Sequence, residues 1–347
     1  MKLAPATLIA LAALSARAAE EPLQLLQLGP KTLSYGLGLR VGGGYAASSP
    51  AQGLGLPTLD VRPYIGAQVA PWLKFSGNLD LNNGDVGRIH VLDAVAQFEP
   101  DDLFHVWMGR FLPPSDRANL SGPYYQNAWN YPGTVNGFPS IYAGRADGAA
   151  VWGQVNKGQF KYQAGVFTVD PATPFGQAIY ALRLVFNALD PEPGYYNAST
   201  YYGAKDILAL GGTIQYKKTL DAAGDKKLLG FNLDLLFERH VAADVLSLEG
   251  AYYDFDQGNA LGRQGRSFYG LVGWLFGAKL GPGRVQPMMR YQHAIPAAGG
   301  EAARSIDAGL NYILDGHNAR VGLVAQNNSL PAGPTQTTVQ LGIQIQE

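Results

Sequence analysis

The chain of 347 residues has no cysteine, few charged residues and no long uninterrupted apolar run. Without cysteine it can form no disulfide bond and no thiolate zinc site. Only 15% of the residues are charged, and the 26 basic and 27 acidic side chains nearly balance, so nothing favours nucleic-acid binding. No stretch reaches the roughly 20 apolar residues that a membrane-spanning helix needs.

The N-terminal residues have the pattern of a secretory signal peptide. Lys2 supplies a positive charge, Leu8 to Leu14 form a short apolar core, and Ala16-Arg17-Ala18 is a small-x-small cleavage site. We therefore expect residues 1–19 to be removed on export and residues 20–347 to form a single domain. Because Lys2 and Arg17 leave with the signal peptide, that domain keeps 24 basic and 27 acidic residues.

The residues that are abundant point to β-structure. There are 44 Gly, 19 Tyr and 14 Phe, which is a turn-rich and aromatic composition. In the last stretch, Val339, Leu341, Ile343 and Ile345 alternate with Gln or Gly, so one face is apolar and the other polar. The same alternation recurs back to Leu33, which predicts strands with one face towards lipid and the other towards water.

Sixteen such segments can be counted, each of roughly 9–12 residues, the length with which a tilted strand crosses a bilayer. They predict an all-β fold, a transmembrane antiparallel β-barrel of about 16 strands. Short turns fall at one end of the barrel and longer connections at the other, as in outer-membrane barrels. The residues expected to face lipid or a neighbouring subunit include Leu37, Leu73, Leu233, Leu310, Leu341 and Ile343.

Two connections are unusually long. Pro113 to Arg145 joins the fifth and sixth strands and is rich in Tyr, Trp, Asn and Pro with few charges, which favours an ordered, functional loop. The second runs through Asp190 to Asn197 on the side of the short turns, and its length has no local explanation in the sequence.

Three patches resemble the phosphate-selective porin O and P family. They are Asp102 to Phe111 with Pro113 to Leu120, the stretch Asp190 to Asp206, and the hairpin Leu310 to Val321. The resemblance implies a bacterial outer-membrane porin with sixteen strands, usually a homotrimer, whose third outer loop folds inward as a constriction. It also implies outer-membrane lipid, lipopolysaccharide and the barrel-assembly machinery as partners.

The chain departs from that family in two places. Its last residue is Glu347, where such barrels usually end in Phe, and the long loop has only Arg117 and Arg145 at its edges instead of a dense ladder of basic residues. The resemblance therefore supports a porin better than a phosphate-selective one.

If the chain is a porin with an inward-folded long loop, candidate residues can be named for the constriction and for the lumen. Asp116 and Arg117 are the strongest candidates for the constriction, whereas the loop aromatics are more often structural; the full set is Asp116, Arg117, Tyr124, Tyr125, Trp129 and Arg145. Candidates for lining the lumen are Arg40, Asp60, Arg62, Lys74, Asp80, Asp93, Lys161, Arg183, Asp234, Glu238, Arg290, Asp307 and Arg320. Their two signs nearly balance, which predicts a weakly selective pore, although the charges could instead pair across neighbouring strands.

The aromatic residues at strand ends are interpreted as an interfacial girdle. These are Trp72, Phe98, Phe104, Trp107, Tyr252, Tyr253, Phe268 and Trp274.

The predicted function is passive diffusion of small hydrophilic solutes or ions, among them anions such as phosphate, through a water-filled lumen. No cofactor or metal is expected, since the five His residues show no metal-ligand spacing. Two alternatives stay open. A structural or adhesive barrel with a plugged lumen would have large aromatic interior positions, and a barrel enzyme would need a Ser–His pair near the rim, which the sequence does not show.

Overall fold

The computed structural model describes residues 26–28, 31–47, 52–82, 88–133, 138–169, 178–221, 224–255, 265–297, 299, 301–329 and 333–347. The predicted signal peptide, residues 1–19, lies outside this part of the chain. The described residues contain one short α-helix, α1 (Arg117–Ser121), and no helix there is long and apolar enough to cross a membrane.

Sixteen long strands make up most of the described residues. They are β1 (Lys31–Ala46), β2 (Gly53–Ala70), β3 (Leu73–Asn82), β4 (His90–Asp101), β5 (Phe104–Phe111), β6 (Ala146–Val155), β7 (Phe160–Thr168), β8 (Ile179–Asn187), β9 (Ile207–Asp221), β10 (Gly224–Val241), β11 (Asp244–Phe255), β12 (Gly265–Leu275), β13 (Gly283–Pro296), β14 (Ala303–Asp315), β15 (Ala319–Ser329) and β16 (Gln336–Gln346). Two strand fragments, Leu26–Leu28 and Lys279–Leu280, pair with β1 and β13.

Each long strand pairs antiparallel with the next, and the last pairs with the first. The closing register between β16 and β1 runs from Thr338 opposite Ala46 to Gln346 opposite Gly38. The sheet therefore has no free edge, which is the arrangement that satisfies every strand inside a bilayer. The predicted closed antiparallel barrel of sixteen strands is confirmed.

The outer face is apolar and the inner face polar, as the alternation predicts. In β16 the side chain of Leu341 is 55% exposed on the outside, whereas Gln340 and Gln344, of the opposite parity, are buried on the inside. The other residues predicted to face outward do so: Leu37, Leu233, Leu310 and Ile343 are exposed, and Leu73 is half-buried opposite the exposed Phe98. A one-residue shift of a strand would bring its inward polar side chains to this apolar surface.

The two ends of the barrel carry different connections. One end, which we call the turn end, has the short turns at residues 71–72, 102–103, 156–159, 242–243 and 316–318. In one of them Asp101 accepts hydrogen bonds from the backbone amides of Leu103 at 2.8 Å and Phe104 at 3.0 Å. The opposite end, the loop end, carries most of the longer connections. The exception predicted at the turn end, between β8 and β9, is present.

Two residues assigned to the aromatic girdle point inward instead. Trp107 and Tyr253 are buried, and each lies one residue out of step with an outward neighbour, Met108 or Tyr252. Inside the barrel, Trp107 Nε1 donates to a carboxylate oxygen of Glu99 at 2.9 Å. The assignment of these two residues was wrong because aromatic content at a strand end does not reveal which face a ring occupies.

Candidate functional site

The long loop, residues 112–145 between β5 and β6, folds back into the barrel. Its helix α1 is buried along its whole length, and the N-cap Asp116 accepts a hydrogen bond from the backbone amide of Asn119 at 3.2 Å. Just before the helix, Thr213 Oγ1 of β9 donates to the carbonyl of Ser115 at 3.1 Å. The loop therefore lies against the inner wall, as the sequence predicts.

A second loop, residues 188–206 between β8 and β9, enters from the turn end and meets the long loop inside the barrel. The backbone amide of Ser199 donates to the carbonyl of Tyr125, and Asn197 Nδ2 donates to the carbonyl of Arg117, both at 3.0 Å. This contact explains the length of the second loop, since the chain must leave the rim and enter the lumen to make it.

Five buried charged side chains join the two loops to the wall. We call them the anchor cluster: Arg117 of the long loop, Glu192 of the second loop, Lys161 of β7, Arg183 of β8 and Asp234 of β10. Arg117 donates through Nη1 and Nη2 to the two oxygens of Glu192 at 2.8 and 2.9 Å. Arg183 binds Asp234 in the same two-pronged way at 2.6 and 2.9 Å. Because these groups are shielded from water, each ionised carboxylate is stable in the folded protein only beside its cation.

The loop carboxyls respond to this burial in opposite ways. Burial alone raises the pKa of Glu192, but the charges of Arg117 and Lys161 outweigh it and hold that pKa well below its usual value. For Asp116, burial, and next the charge of Asp234, raise the pKa from 3.8 to about 6. The second loop thus holds a carboxylate that its cations keep ionised, and the long loop holds a carboxyl whose ionisation is opposed by burial.

The predicted constriction residues Asp116 and Arg117 do not line an opening. Both side chains are 0% exposed, because the second loop and the wall cover them. Asp116 caps α1 and accepts a hydrogen bond from Tyr253 at 2.9 Å, and Arg117 holds Glu192 and the carbonyl of Ala198. This part of the prediction is corrected: both residues fix the loop in place.

Three arginines predicted to line the lumen hold the long loop as well. Each donates from its guanidinium to a backbone carbonyl of that loop: Arg40 to Trp129 at 2.6 Å, Arg320 to Gln126 at 2.7 Å and Arg290 to Tyr131 at 3.2 Å. All three side chains are buried. Each of these cations therefore binds a backbone carbonyl of the long loop. The pattern of charges in the sequence does not reveal this role.

Trp129, another constriction candidate, is also a packing residue. Its ring lies 4.4 Å from the guanidinium carbon of Arg40 and 5.6 Å from that of Arg320, which are cation–π distances. The ring occupies the space over Gly342, where an added Cβ would lie only 2.2 Å from a ring carbon. Trp129 is 2% exposed and lines neither cavity described below.

The remaining predicted lumen charges are inward and paired. Asp307 accepts from Arg290 Nε at 2.6 Å, and Glu238 accepts from the second loop at distances of 2.6 to 3.0 Å. Lys74 pairs with Glu99 at 2.6 Å and stays partly exposed. The Arg290–Asp307 and Lys74–Glu99 pairs join neighbouring strands, which is the alternative left open by the sequence, whereas Glu238 binds the second loop.

Aromatic and aliphatic side chains fill the lumen beside the anchor cluster. One apolar cluster spans β4 to β8, the long loop and the second loop, and consists of Val95, Trp107, Phe111, Leu112, Leu120, Ala146, Ala150, Trp152, Phe167, Ile179 and Tyr195. A smaller one packs Phe138 and Ala118 against β10 to β12. We call the sector from β5 to β12 the filled side. The sector from β1 to β4, from which only Val95 joins the first cluster, is the open side.

Two cavities flank the open side. The turn-side cavity has a volume of about 520 Å³ and lies between the wall and both loops. The loop-side cavity has a volume of about 350 Å³ and lies between the wall and the long loop. The two cavities share three lining residues, Arg62, Pro123 and Arg145, which we call the junction.

Both arginines of the junction are held by wall carboxylates. Arg62 Nε donates to Asp80 at 2.9 Å, and Arg145 donates through Nε and Nη2 to the two oxygens of Asp93, each at 3.3 Å. Tyr142 donates to the other oxygen of Asp80 at 2.9 Å. The junction is therefore nearly neutral, with its cations fixed in position by their partners.

Three predicted constriction residues do lie at these cavities: Tyr124, Tyr125 and Arg145. Of the predicted lumen charges, Asp60, Arg62 and Asp93 line one cavity or both. Sequence reasoning missed Tyr64, Asn78, Tyr196, Asn197 and His317, all of which line the turn-side cavity. Inward parity could have identified Tyr64 and Asn78, but the others lie in a loop and a turn where no periodicity applies.

His317, in the turn between β14 and β15, is held largely neutral. Burial, and next the charge of Arg320, lower its pKa from 6.5 to about 4. Within the described residues there is no group of three or more His, Asp or Glu side chains that could hold a metal ion.

Comparison with known proteins identifies the fold. No family model matches the chain, and no curated protein matches its sequence. Solved structures do match: an anion-selective porin from Comamonas acidovorans has a TM-score of 0.60 and 14% identity, with 91% of this chain and all of that one covered. OprB from Pseudomonas putida has a TM-score of 0.60 and 12% identity, covering 91% of this chain and 94% of its own.

A third match is the trimer form of OmpT, an outer membrane protein of Vibrio cholerae. Its TM-score is 0.60 at 10% identity, with 92% of this chain and 100% of that chain covered. At such identities the likeness establishes a porin-like barrel fold. The finer resemblance to the phosphate-selective family stays a prediction.

Proposed function

We propose that the protein is a passive diffusion channel for small hydrophilic solutes and ions in the bacterial outer membrane. The observation that carries this proposal is the pair of cavities on the open side, which meet at Arg62, Pro123 and Arg145. Its support comes from the closed barrel with an apolar outer face and from the porins among its structural neighbours.

In this proposal, solutes pass along β1 to β4, and the junction is the narrowest point. Selectivity between ions is weak, because Arg62 and Arg145 are each paired with a carboxylate, so neither sign of charge dominates the passage. A preference for anions such as phosphate remains the finer prediction from the family resemblance. The paired cations do not favour it.

The predicted partners belong to the same proposal. We expect a homotrimer surrounded by lipid and lipopolysaccharide and inserted by the barrel-assembly machinery, with no nucleic-acid partner. One structural neighbour is described as a trimer, which supports this expectation for a barrel of the same fold. We also expect no catalytic activity.

The second candidate is a structural or adhesive barrel with a plugged lumen, and one observation favours it. The two loops bind each other inside the barrel, and aromatic side chains fill the sector around them, as that alternative predicts. The open side is what distinguishes a pore from this plugged barrel.

Liposome swelling separates the two candidates. Purified protein is reconstituted into vesicles and diluted into isotonic solutions of sugars of increasing size. A channel gives swelling whose rate falls with solute size, and planar bilayers then show ion conductance, in three equal steps for a trimer. Absence of both swelling and conductance from a barrel shown to be folded by its heat-dependent mobility would favour the plugged barrel.

A further inference from the structure

We propose that the turn-side cavity is a binding subsite for a neutral, hydroxyl-rich ring, the chemistry of a mono- or disaccharide. This inference rests on the proposed function and names the class of solute for which the passage is suited. Its basis is the composition of the cavity wall: exposed tyrosine rings, neutral amide and hydroxyl groups, and cations that already have partners.

The rings come from three separate parts of the chain. Tyr64 lies on β2, Tyr125 follows α1 in the long loop, and Tyr196 lies in the second loop. Their side chains are 39%, 43% and 36% exposed, in contrast to the buried interior around them. An aromatic face with partial negative charge attracts the C–H groups on the flat side of a sugar ring. Exposed rings inside an otherwise buried lumen are the feature that requires a function.

Neutral polar groups surround these rings. Asn78 of β3, Ser121 of α1, Asn197 of the second loop and Gln346 of β16 line the same cavity. The amide nitrogens of Asn78 and Asn197 and the hydroxyl of Ser121 already bond within the protein. The amide oxygen of Asn197 and the amide of Gln346 can pair with hydroxyl groups of a ligand. With a volume of about 520 Å³ the cavity is within the range of small-molecule sites.

The charges at the cavity argue against an anion. Arg62 and Arg145 both line it, but each already binds a wall carboxylate, Asp80 or Asp93. An anion could bind a guanidinium fully only by displacing that carboxylate, which would leave a poorly hydrated negative charge behind. A neutral ligand can bind beside these groups without breaking either pair.

The polar lining also argues against an apolar aromatic solute. Such a ligand could stack on the tyrosines, but it would cover the amide oxygen of Asn197 and the amide of Gln346 without pairing with either. Leaving buried polar groups unpaired opposes binding. A ring with apolar faces and a polar edge can contact both the tyrosine rings and the polar groups of the cavity wall.

Isothermal titration calorimetry on the detergent-solubilised protein tests the inference, with maltose as the sugar, inorganic phosphate as the anion and benzoate as the apolar ring. We expect maltose to bind in the millimolar range and the other two to bind more weakly or not at all. Tyr125→Ala should weaken maltose binding by about threefold to tenfold, the loss expected for one stacking contact. Tyr180→Ala is the matched control, because Tyr180 is 55% exposed on the outer wall.

Several results would overturn the inference. These are tighter binding of phosphate or benzoate than of maltose, no maltose binding at all, or maltose binding that neither Tyr125→Ala nor Tyr196→Ala weakens. Ion conductance of the same preparation in a planar bilayer keeps the two proposals apart. Conductance without sugar binding removes only the subsite, whereas absence of conductance removes the channel while calorimetry still decides whether the sugar binds.

Discussion

The filled and open sides of the lumen use the same residue types for different purposes. On the filled side, the Arg117–Glu192 and Arg183–Asp234 pairs have side chains at most 2% exposed and hold loop to wall. On the open side, the Arg145–Asp93 pair borders both cavities with side chains 9% and 13% exposed. An inward charge that the loops cover anchors a loop to the wall. An inward charge that the loops leave partly exposed borders a cavity.

The aromatic residues divide in the same way. Trp107, Trp152 and Tyr195 pack together on the filled side and are buried. Tyr125 and Tyr196, on the edges of the two loops, present exposed rings to the turn-side cavity. The comparison predicts that mutations on the filled side change stability, whereas mutations on the open side change permeation.

The largest effect is expected for Arg117→Met, which leaves Glu192 buried without its principal partner. Breaking a buried pair from one side costs about 3–5 kcal/mol. The matched control is Arg110→Met: Arg110 also binds a carboxylate in two-pronged geometry, with Asp147 at 2.6 and 2.8 Å, but these side chains are about one-third exposed. An exposed pair contributes about 1 kcal/mol or less. The measurement is the urea midpoint of unfolding in lipid vesicles.

The triple variant Arg117→Met, Lys161→Met, Glu192→Met sharpens this result, because Glu192 also pairs with the buried Lys161 at 3.6 Å. Replacing a whole buried ion cluster by apolar side chains of similar size is often nearly neutral, so the triple variant should recover much of the lost stability. Equal losses for Arg117→Met and Arg110→Met would mean that the anchor cluster does not hold the loops together.

A smaller, pH-dependent effect is expected at Asp116. Its pKa is about 6 when folded and 3.8 when unfolded, so between these values only the unfolded chain has lost the proton. Stability therefore falls as pH rises from about 4 to 7, by about 2–3 kcal/mol from this group. Asp116→Asn removes the effect and keeps an efficient N-cap residue. The free energy of unfolding is compared for both proteins at pH 4.5 and pH 7.

The comparison between the two proteins isolates Asp116 from other groups. His317, with a folded pKa of about 4, has the opposite sign: its contribution is complete above pH 6.5 and declines as pH falls towards 4. This contribution is common to both proteins and cancels in the difference. A wild-type minus variant difference that is independent of pH would show that Asp116 is not buried beside Asp234.

The smallest effect is expected at the junction, for Arg145→Ala. The change removes a cation and side-chain volume, so conductance should rise and ion preference should shift towards cations. A unit charge about 10 Å from an ion in water contributes about 0.4 kcal/mol, or roughly a twofold change in permeability ratio. Lys74→Ala is the control, because Lys74 also points inward but lines neither cavity. Reversal potentials in a salt gradient measure the shift, and an equal response of both variants would contradict the assignment of the junction.

Much of the barrel could be predicted from the sequence because each face of a membrane strand meets a single environment. The outer face meets lipid and the inner face meets the polar interior. The alternation from Leu33 to Ile345 sets the strand count, and the parity of Leu37 or Leu341 sets the outward face. Trp107 and Tyr253 were misplaced because composition at strand ends was used in place of parity.

The interior of the barrel was less accessible to prediction. Inward charges such as Arg40 and Arg183 were recognised, but their partners lie 89 and 51 residues away, in a loop and in β10. The contact of Arg40 depends on the path of the long loop, and the Arg183–Asp234 pair reaches across β9, so the periodicity of the sequence predicts neither contact. For the same reason Arg117 was placed in the constriction although it lies in the anchor cluster.

The central claim is that solutes pass on the open side only, and cysteine accessibility tests it directly because the protein has no cysteine of its own. Asn78→Cys places a thiol on the wall of the turn-side cavity, and Thr213→Cys places one on the filled side, where Thr213 is 1% exposed. Each variant is held in a planar bilayer and treated with a charged, water-soluble thiol reagent. We predict that conductance through the Asn78→Cys barrel falls and that the Thr213→Cys barrel does not respond. A fall at Thr213→Cys with no response at Asn78→Cys would contradict the account.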